Sequence, residues 1–309
     1  MGRCPVCLRF VAALCLCGLP LLSSCISQSQ TPPPRPAPPA LEFLGEWGTR
    51  GEGPGKLSQP CGIAADTFGN VYITDSSTQF IQKFSRTGEP LQAFQDPALK
   101  QPCSIAVDSA GAIYVTDKSR SLLIVALANG DRHLSIGRIK AAAAGMAPVS
   151  VADDGSILVA DVEGGTVRRF TARARLITRW GFGKDGSSPR RAGALTFAPS
   201  GEVFLAEPSG GRLQAFSSGG APLRDWTVCE GAGVSSVAAS PTLVFTACRG
   251  KLNVWKSDGA PLGETDLAPR VKIPDSAQSA IVAYAPSSEL FVLFPAETRV
   301  LRYRVNLPE

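Results

Sequence analysis

The chain has one histidine, His133, and two methionines in 309 residues. A single imidazole excludes any metal site or active site that needs several histidines. Charge is scarce as well: Asp, Glu, Lys and Arg make up only 18% of the residues, and aromatics 7%. Lys and Arg number 31 against 26 Asp and Glu, a net charge of +5, which falls to +3 without Arg3 and Arg9 near the N-terminus. So weak and scattered an excess does not make the basic surface that nucleic acid requires. The N-terminal apolar run, Phe10 to Leu22, is 13 residues, too short to cross a hydrocarbon core of roughly 30 Å as a stable helix. Gly48 to Gly55 reads GTRGEGPG, but no Lys-Ser/Thr follows and a strand comes next, so it is a connecting loop rather than a phosphate cradle. What is abundant is apolar residues, 44%, with 31 Gly and 25 Pro. That composition provides a sizeable core interrupted by many turns.

The N-terminus reads as an address. Met1 to Arg9 is basic, the apolar run follows, and the run ends in Leu22-Ser23-Ser24-Cys25. That tetrapeptide resembles the bacterial lipobox, which implies cleavage before Cys25 and diacylation (palmitate-type chains) of that residue. Residues 1–24 are then a lipoprotein signal peptide, and residues 25–40 a lipidated cysteine and tether. Six of the eight residues from Pro32 to Pro39 are proline, so the tether stays extended as polyproline II. Fifteen residues at roughly 3.1 Å each reach about 45 Å from a membrane. Cys4-Pro5-Val6-Cys7 has redox spacing but lies in the segment to be removed. Ile26, not Asp, follows Cys25, which by the lipoprotein sorting rule favours the outer membrane in a Gram-negative cell. The expected location is therefore the bacterial envelope, lipid-anchored, and periplasmic or at the outer membrane in such a cell.

The rest, residues 41–309, repeats itself. Pro60-Cys61-Gly62-Ile63-Ala64-Ala65-Asp66 precedes Gly69-Asn70, then Val71-Tyr72-Ile73-Thr74-Asp75, then Ile81-Gln82-Lys83-Phe84. The order returns from Pro102 (Ile105-Ala106-Val107-Asp108, Ile113-Tyr114-Val115-Thr116-Asp117) and from Pro148 (Ser150-Val151-Ala152-Asp153, Ile157-Leu158-Val159-Ala160-Asp161, Val167-Arg168-Arg169-Phe170). It is looser from Leu195, with Glu207 in the place of the second Asp, and weaker near Ser236 and Ala280. Units of about 44 residues, with short apolar runs and Gly/Asp turns, predict a β-propeller of roughly six blades.

These motifs resemble the NHL repeat, P-x-G-I-A-x-D, then G-N-x-Y-V-x-D, then I-x-x-F. The resemblance implies an all-β, six-bladed β-propeller. Leu41-Glu42-Phe43-Leu44-Gly45-Glu46-Trp47 precedes the first unit as an orphan fourth strand, and the last unit lacks one. Pairing the two closes the ring and removes the exposed edges.

In this architecture the first strand of each blade lines the channel, running from the top face to the bottom, and the second returns. Asp75, Asp117, Asp161 and Glu207 then end second strands at the top face. Two readings stand for them: turn caps bonded to their own backbone, or ligand-binding acids around the channel mouth that would suit a divalent cation. His133 falls in a polar loop between blades. After Cys25 four cysteines remain, an even number in an exported chain. Cys229 and Cys248 are expected to meet at the top face and form a disulfide. Cys61 and Cys103, equivalent in adjacent blades, can pair only close to the channel. A four-cysteine zinc site would need C-x-x-C pairs, which this part lacks.

The expected function is a membrane-anchored binding platform for a protein or small ligand on the top face, without catalytic residues, resident metal or cofactor. The alternative is a metal-dependent propeller hydrolase or lyase of the lactonase kind, using the four acids and a divalent cation.

Overall fold

A computed structural model describes residues 40–119, 122–126, 132–136, 147–161, 165–182, 192–208, 210–267 and 279–306. The signal peptide, Cys25 and the proline-rich tether lie outside the described residues, as do the side chains of His133 and Asp161.

The regular structure is a succession of short strands. In chain order they are β1 (Ala40–Trp47); β2 (Pro60–Ala65), β3 (Val71–Asp75), β4 (Ile81–Phe84), β5 (Pro90–Phe94); β6 (Pro102–Val107), β7 (Ile113–Asp117), β8 (Leu122–Ala126), β9 (Arg132–Ile136); β10 (Val149–Val151), β11 (Ile157–Asp161), β12 (Thr166–Phe170), β13 (Leu176–Gly181); β14 (Ala194–Phe197), β15 (Glu202–Ala206), β16 (Arg212–Ser217), β17 (Pro222–Thr227); β18 (Ser236–Ala239), β19 (Leu243–Cys248), β20 (Lys251–Lys256), β21 (Pro261–Asp266); and β22 (Ile281–Ala285), β23 (Glu289–Phe294), β24 (Arg299–Asn306). They pair into six four-stranded sheets. Five are consecutive meanders, and the last has the order β1-β24-β23-β22. The fold is an all-β propeller.

Burial explains the strand sequences. The second strand of a sheet is covered on both faces by neighbouring sheets, so it is a continuous apolar run rather than an alternation. Val71–Asp75, Leu243–Cys248 and Glu289–Phe294 are buried at every position. The outermost strands keep one side in water, and Leu176–Gly181 and Pro222–Thr227 alternate accordingly. Among the described residues the core divides into clusters that each bridge two neighbouring sheets. One joins Ile63 and Ile73 to Phe291 and Leu293, linking the β2–β5 sheet to the sheet that ends the chain.

The N-terminal strand completes that final sheet. β1 runs antiparallel to β24, with Leu41 opposite Val305, Phe43 opposite Tyr303 and Trp47 opposite Val300. Phe43 meets Tyr303 edge-on at 5.6 Å. This is the closure expected from the orphan strand.

Tryptophans lock neighbouring sheets. Trp47 on β1, Trp180 on β13 and Trp226 on β17 each cover a glycine in the β-turn before the outermost strand of the next sheet: Gly88, Gly220 and Gly259. Gly88 and Gly220 have φ of 89° and 92°, and a Cβ on either would fall inside the indole. The equivalent positions of Trp47 and Trp180 in the repeat therefore have a packing role.

Both cysteine pairs are disulfides. Cys61 on β2 is bonded to Cys103 on β6, with Cα atoms 4.8 Å apart, so the bridge staples adjacent channel-lining strands. Cys229, just after β17, is bonded to Cys248 at the end of β19, with Cα atoms 6.4 Å apart.

Candidate functional site

The repeat's carboxylates are turned onto backbone. Asp75 ends β3 at the top face and is fully buried. Its Oδ2 accepts hydrogen bonds from the Ser58 and Gln59 N–H groups at 2.7 and 3.0 Å. Its Oδ1 accepts from the N–H groups of Ser77 and Thr78 and from the Ser77 hydroxyl. Asp117 repeats the arrangement, taking the Lys100 and Gln101 N–H groups at 2.5 and 2.8 Å and the N–H and hydroxyl of Ser119 at 2.8 Å each. Each carboxylate thus holds the loop entering its sheet to the turn leaving its second strand. Burial pushes the Asp75 carboxyl up, but hydrogen bonds from Ser58, Thr78 and Ser77 outweigh it and hold the pKa below the ordinary value.

Glu207 is also buried and accepts from Gln214 Nε2 at 2.5 Å. Of the four acids expected around a top-face ligand, Asp75, Asp117 and Glu207 therefore face the protein's own polar groups. Asp161 ends β11 as expected, but its side chain lies outside the described residues. Among the described residues no group of three or more His, Cys, Asp or Glu is placed to hold a metal ion. The physical reason is local: the loop before each sheet arrives with buried N–H groups that need an acceptor, and the repeat Asp is the nearest one.

His133 is a correction of a different kind. It lies in β9, the outermost strand of its sheet, not in a loop, and that strand is the one furthest from the channel.

The acids on the bottom face behave as turn residues. Asp66 Oδ1 accepts from the Phe68 and Asn70 N–H groups at 2.9 and 2.8 Å, across a turn in which Gly69 has φ 80°. Asp108 does the same for Ala110 and Ala112, and its Oδ2 takes the Tyr114 hydroxyl at 2.8 Å. Burial and then Asp108 raise the Tyr114 pKa, so this phenol stays protonated.

The open space lies along the axis and is unequal at its ends. Near the top the first strands leave only about 70 Å³, bordered by Cys61, Gly62, Ser104 and Ser236. Toward the bottom the channel widens to about 620 Å³. All six first strands line this cavity, with Ile105, Val149, Leu195, Phe197, Val237 and Tyr284 among the apolar surfaces, and Ser150 and Thr196 among the polar ones. Exposed Thr67, Ser109, Asp153 and Pro199 stand at its rim. The usable concavity is therefore at the face opposite the one expected from the acids.

The first strands are tied around the channel by serine hydroxyls. Ser104 Oγ accepts the Val149 N–H at 3.1 Å, Ser150 Oγ the Phe197 N–H at 2.9 Å, and Ser236 Oγ the Val282 N–H at 3.1 Å. Gly62 holds the position of Ser104 and Ser236 in β2, where a Cβ would overlap the Cys103 carbonyl, whereas Ser150, opposite Leu158, lies two places further along its strand. Sequence reasoning missed this cavity. Its lining alternates nothing and reads as ordinary core.

Strand order, channel and ring closure define a propeller. A beta-propeller repeat family, SBBP, matches residues 46–78. No curated protein sequence matches the chain. Among solved structures, a streptogramin B lyase aligns at a TM-score of 0.62 and 14% identity, covering 87% of each chain. Selenomethionine-substituted virginiamycin B lyase from Staphylococcus aureus aligns at 0.59 and 12% identity, covering 86% of this chain and 90% of that one. A catalytically inactive histidine-to-alanine variant of the Staphylococcus aureus enzyme, with quinupristin, aligns at 0.62 and 13% identity, covering 84% and 85%. At such identities the likeness is one of fold.

Proposed function

We propose that this chain is a lipid-anchored, six-bladed, NHL-like propeller of the bacterial envelope that works as a binding module, its ligand seated in the wide end of the axial channel. The observation that carries this reading is the cavity of about 620 Å³, lined mainly by apolar side chains and rimmed by polar ones. That size and lining suit a small, largely apolar molecule with a polar end. The alternative of a metal-dependent hydrolase or lyase loses support from the same geometry. Asp75 and Asp117 are occupied by backbone N–H groups, and His133 sits on an outermost strand.

Two experiments test the two halves. An apolar fluorescent probe such as N-phenyl-1-naphthylamine is expected to bind the chain, with Ala65→Trp or Val107→Trp, both at cavity-lining positions, weakening it at least about ten-fold while the melting temperature moves little. Unchanged probe binding in both variants rejects the cavity as the site. Cys25→Ala is expected to leave the protein uncleaved or free of the membrane fraction. A variant still processed and anchored rejects lipidation at Cys25.

A further inference from the structure

The sheet formed by β10–β13 differs from the others in charge. Thr166 to Gly181 contains five arginines and no Asp or Glu. Several cations on the third and fourth strands of other sheets are paired: Arg299 with Glu46 at 3.1 Å, Arg304 with Glu42 at 2.9 Å, Lys251 with Glu264 at 2.7 Å and Arg224 with Glu202 at 2.8 Å. On β12, Arg169 is likewise engaged by Asp154 at 2.7 Å. Arg173, Arg175 and Arg179 are exposed and make no ion pair among the described residues.

Apolar surface accompanies the charge. Leu176 and Ile177, at the start of β13, are 49% and 50% exposed. Ile177 falls where the register shifts, between the pairs Phe170–Leu176 and Arg169–Thr178. Arg173 and Arg175 sit in the turn closed by the Thr171 N–H to Arg175 carbonyl bond. Arg179 is four residues further along the strand, roughly 13 Å away.

Strand direction then places this turn. First strands run top to bottom, so the turn between third and fourth strands lies at the bottom, the end where the cavity widens. β1 is a fourth strand, so Ala40, opposite Asn306, begins at that same end. The hairpin tip, the wide mouth and the start of the folded chain thus share one face.

We propose that the β12–β13 hairpin is a membrane-docking edge that binds anionic lipid headgroups. Guanidinium groups suit phosphate oxygens, and the two exposed aliphatic side chains gain by entering the boundary between headgroups and acyl chains. A soluble polyanion would use the arginines and leave Leu176 and Ile177 in water, which is why a lipid surface is the better fit. Docking would turn the wide mouth of the channel toward the membrane. The inference goes beyond the binding-module reading and does not require it, since vesicle binding and probe binding are separate measurements.

The test uses the chain from residue 25 with Cys25→Ser, which removes the anchor and keeps every strand among the described residues, Ala40–Asn306. Sedimentation with phosphatidylglycerol vesicles is expected to show binding that weakens with salt, and with pure phosphatidylcholine vesicles much less. Arg173→Gln, Arg175→Gln and Arg179→Gln together are expected to reduce partitioning roughly 100-fold, about five-fold for each arginine. Leu176→Ser with Ile177→Ser reduces it further at constant charge. If the triple variant melts abnormally, Arg173→Gln alone at the exposed turn carries the test, with a loss of about five-fold. Equal binding to both vesicle types, or no loss in these arginine variants, overturns the proposal. So does binding of heparin or single-stranded RNA without binding of the anionic vesicles.

Discussion

Asp75→Ala is expected to destabilise the propeller by about 3 kcal/mol, because it strips the acceptor from several backbone N–H groups in a buried site. For a chain of this size that is a fall of roughly 6–12 °C in melting temperature. The wild-type carboxyl is fully buried and receives Ser58, Gln59, Ser77 and Thr78. Its pKa is lower in the folded state than in the unfolded chain. Its contribution is therefore fully present above the unfolded value of about 4 and is lost as the pH falls through the folded value. Urea melts from pH 7 to pH 2.5 should show wild-type stability falling on acidification, and a flatter profile in this range for Asp75→Asn. Asp75→Ala with wild-type stability at neutral pH would remove the carboxylate from its role as a clamp and return it to the candidates for ligand binding.

Gly62→Val is expected to cost more, at least about 4 kcal/mol, and to leave little folded protein at 37 °C. A Cβ on Gly62 would overlap the Cys103 carbonyl on β6 and approach Thr74 Oγ1 to 2.9 Å. That carbonyl is itself fixed, since it accepts the Thr74 hydroxyl and its residue is tied to Cys61 by the disulfide. Neither obstacle is the free end of a flexible side chain, so β2 and β6 must separate. The contrasting substitution is Ser104→Ala, at the same repeat position one sheet on. It loses only the hydrogen bond to the Val149 N–H, worth about 1 kcal/mol. Equal stability of the two variants in denaturant melts would reject the close approach at Gly62 as the reason for glycine there.

These two cases show what a single chain of letters conveys. The repeat period, the Gly and Asp turns and the apolar second strands are local patterns, and they were sufficient for a propeller. Leu41 to Trp47 could be assigned to the last sheet because a propeller needs a partner for its final strand, and β1 does pair with β24. The Cys229–Cys248 and Cys61–Cys103 bridges were legible for the same reason, since repeat position converts directly into neighbourhood.

The site was much less legible. Asp75 and Asp117 have the residue type of ligands and end second strands as expected, but a carboxylate points wherever unpaired donors demand it. Those donors, at Ser58, Gln59, Lys100 and Gln101, come from the preceding loop and meet the acid only once the strands have paired. The cavity has no sequence signature, because its width depends on how six first strands lean about a shared axis, and Val149, Leu195 and Val237 look the same whether they fill a core or border a void. The sequence by itself determined the units, their turns and the pairs that repeat position brings together, since each follows from short-range chemistry. Only the tertiary structure decided which end of the channel is open, where the carboxylates turn, and that Arg173 and Arg175 share a face with that opening, since these depend on strands far apart in the chain.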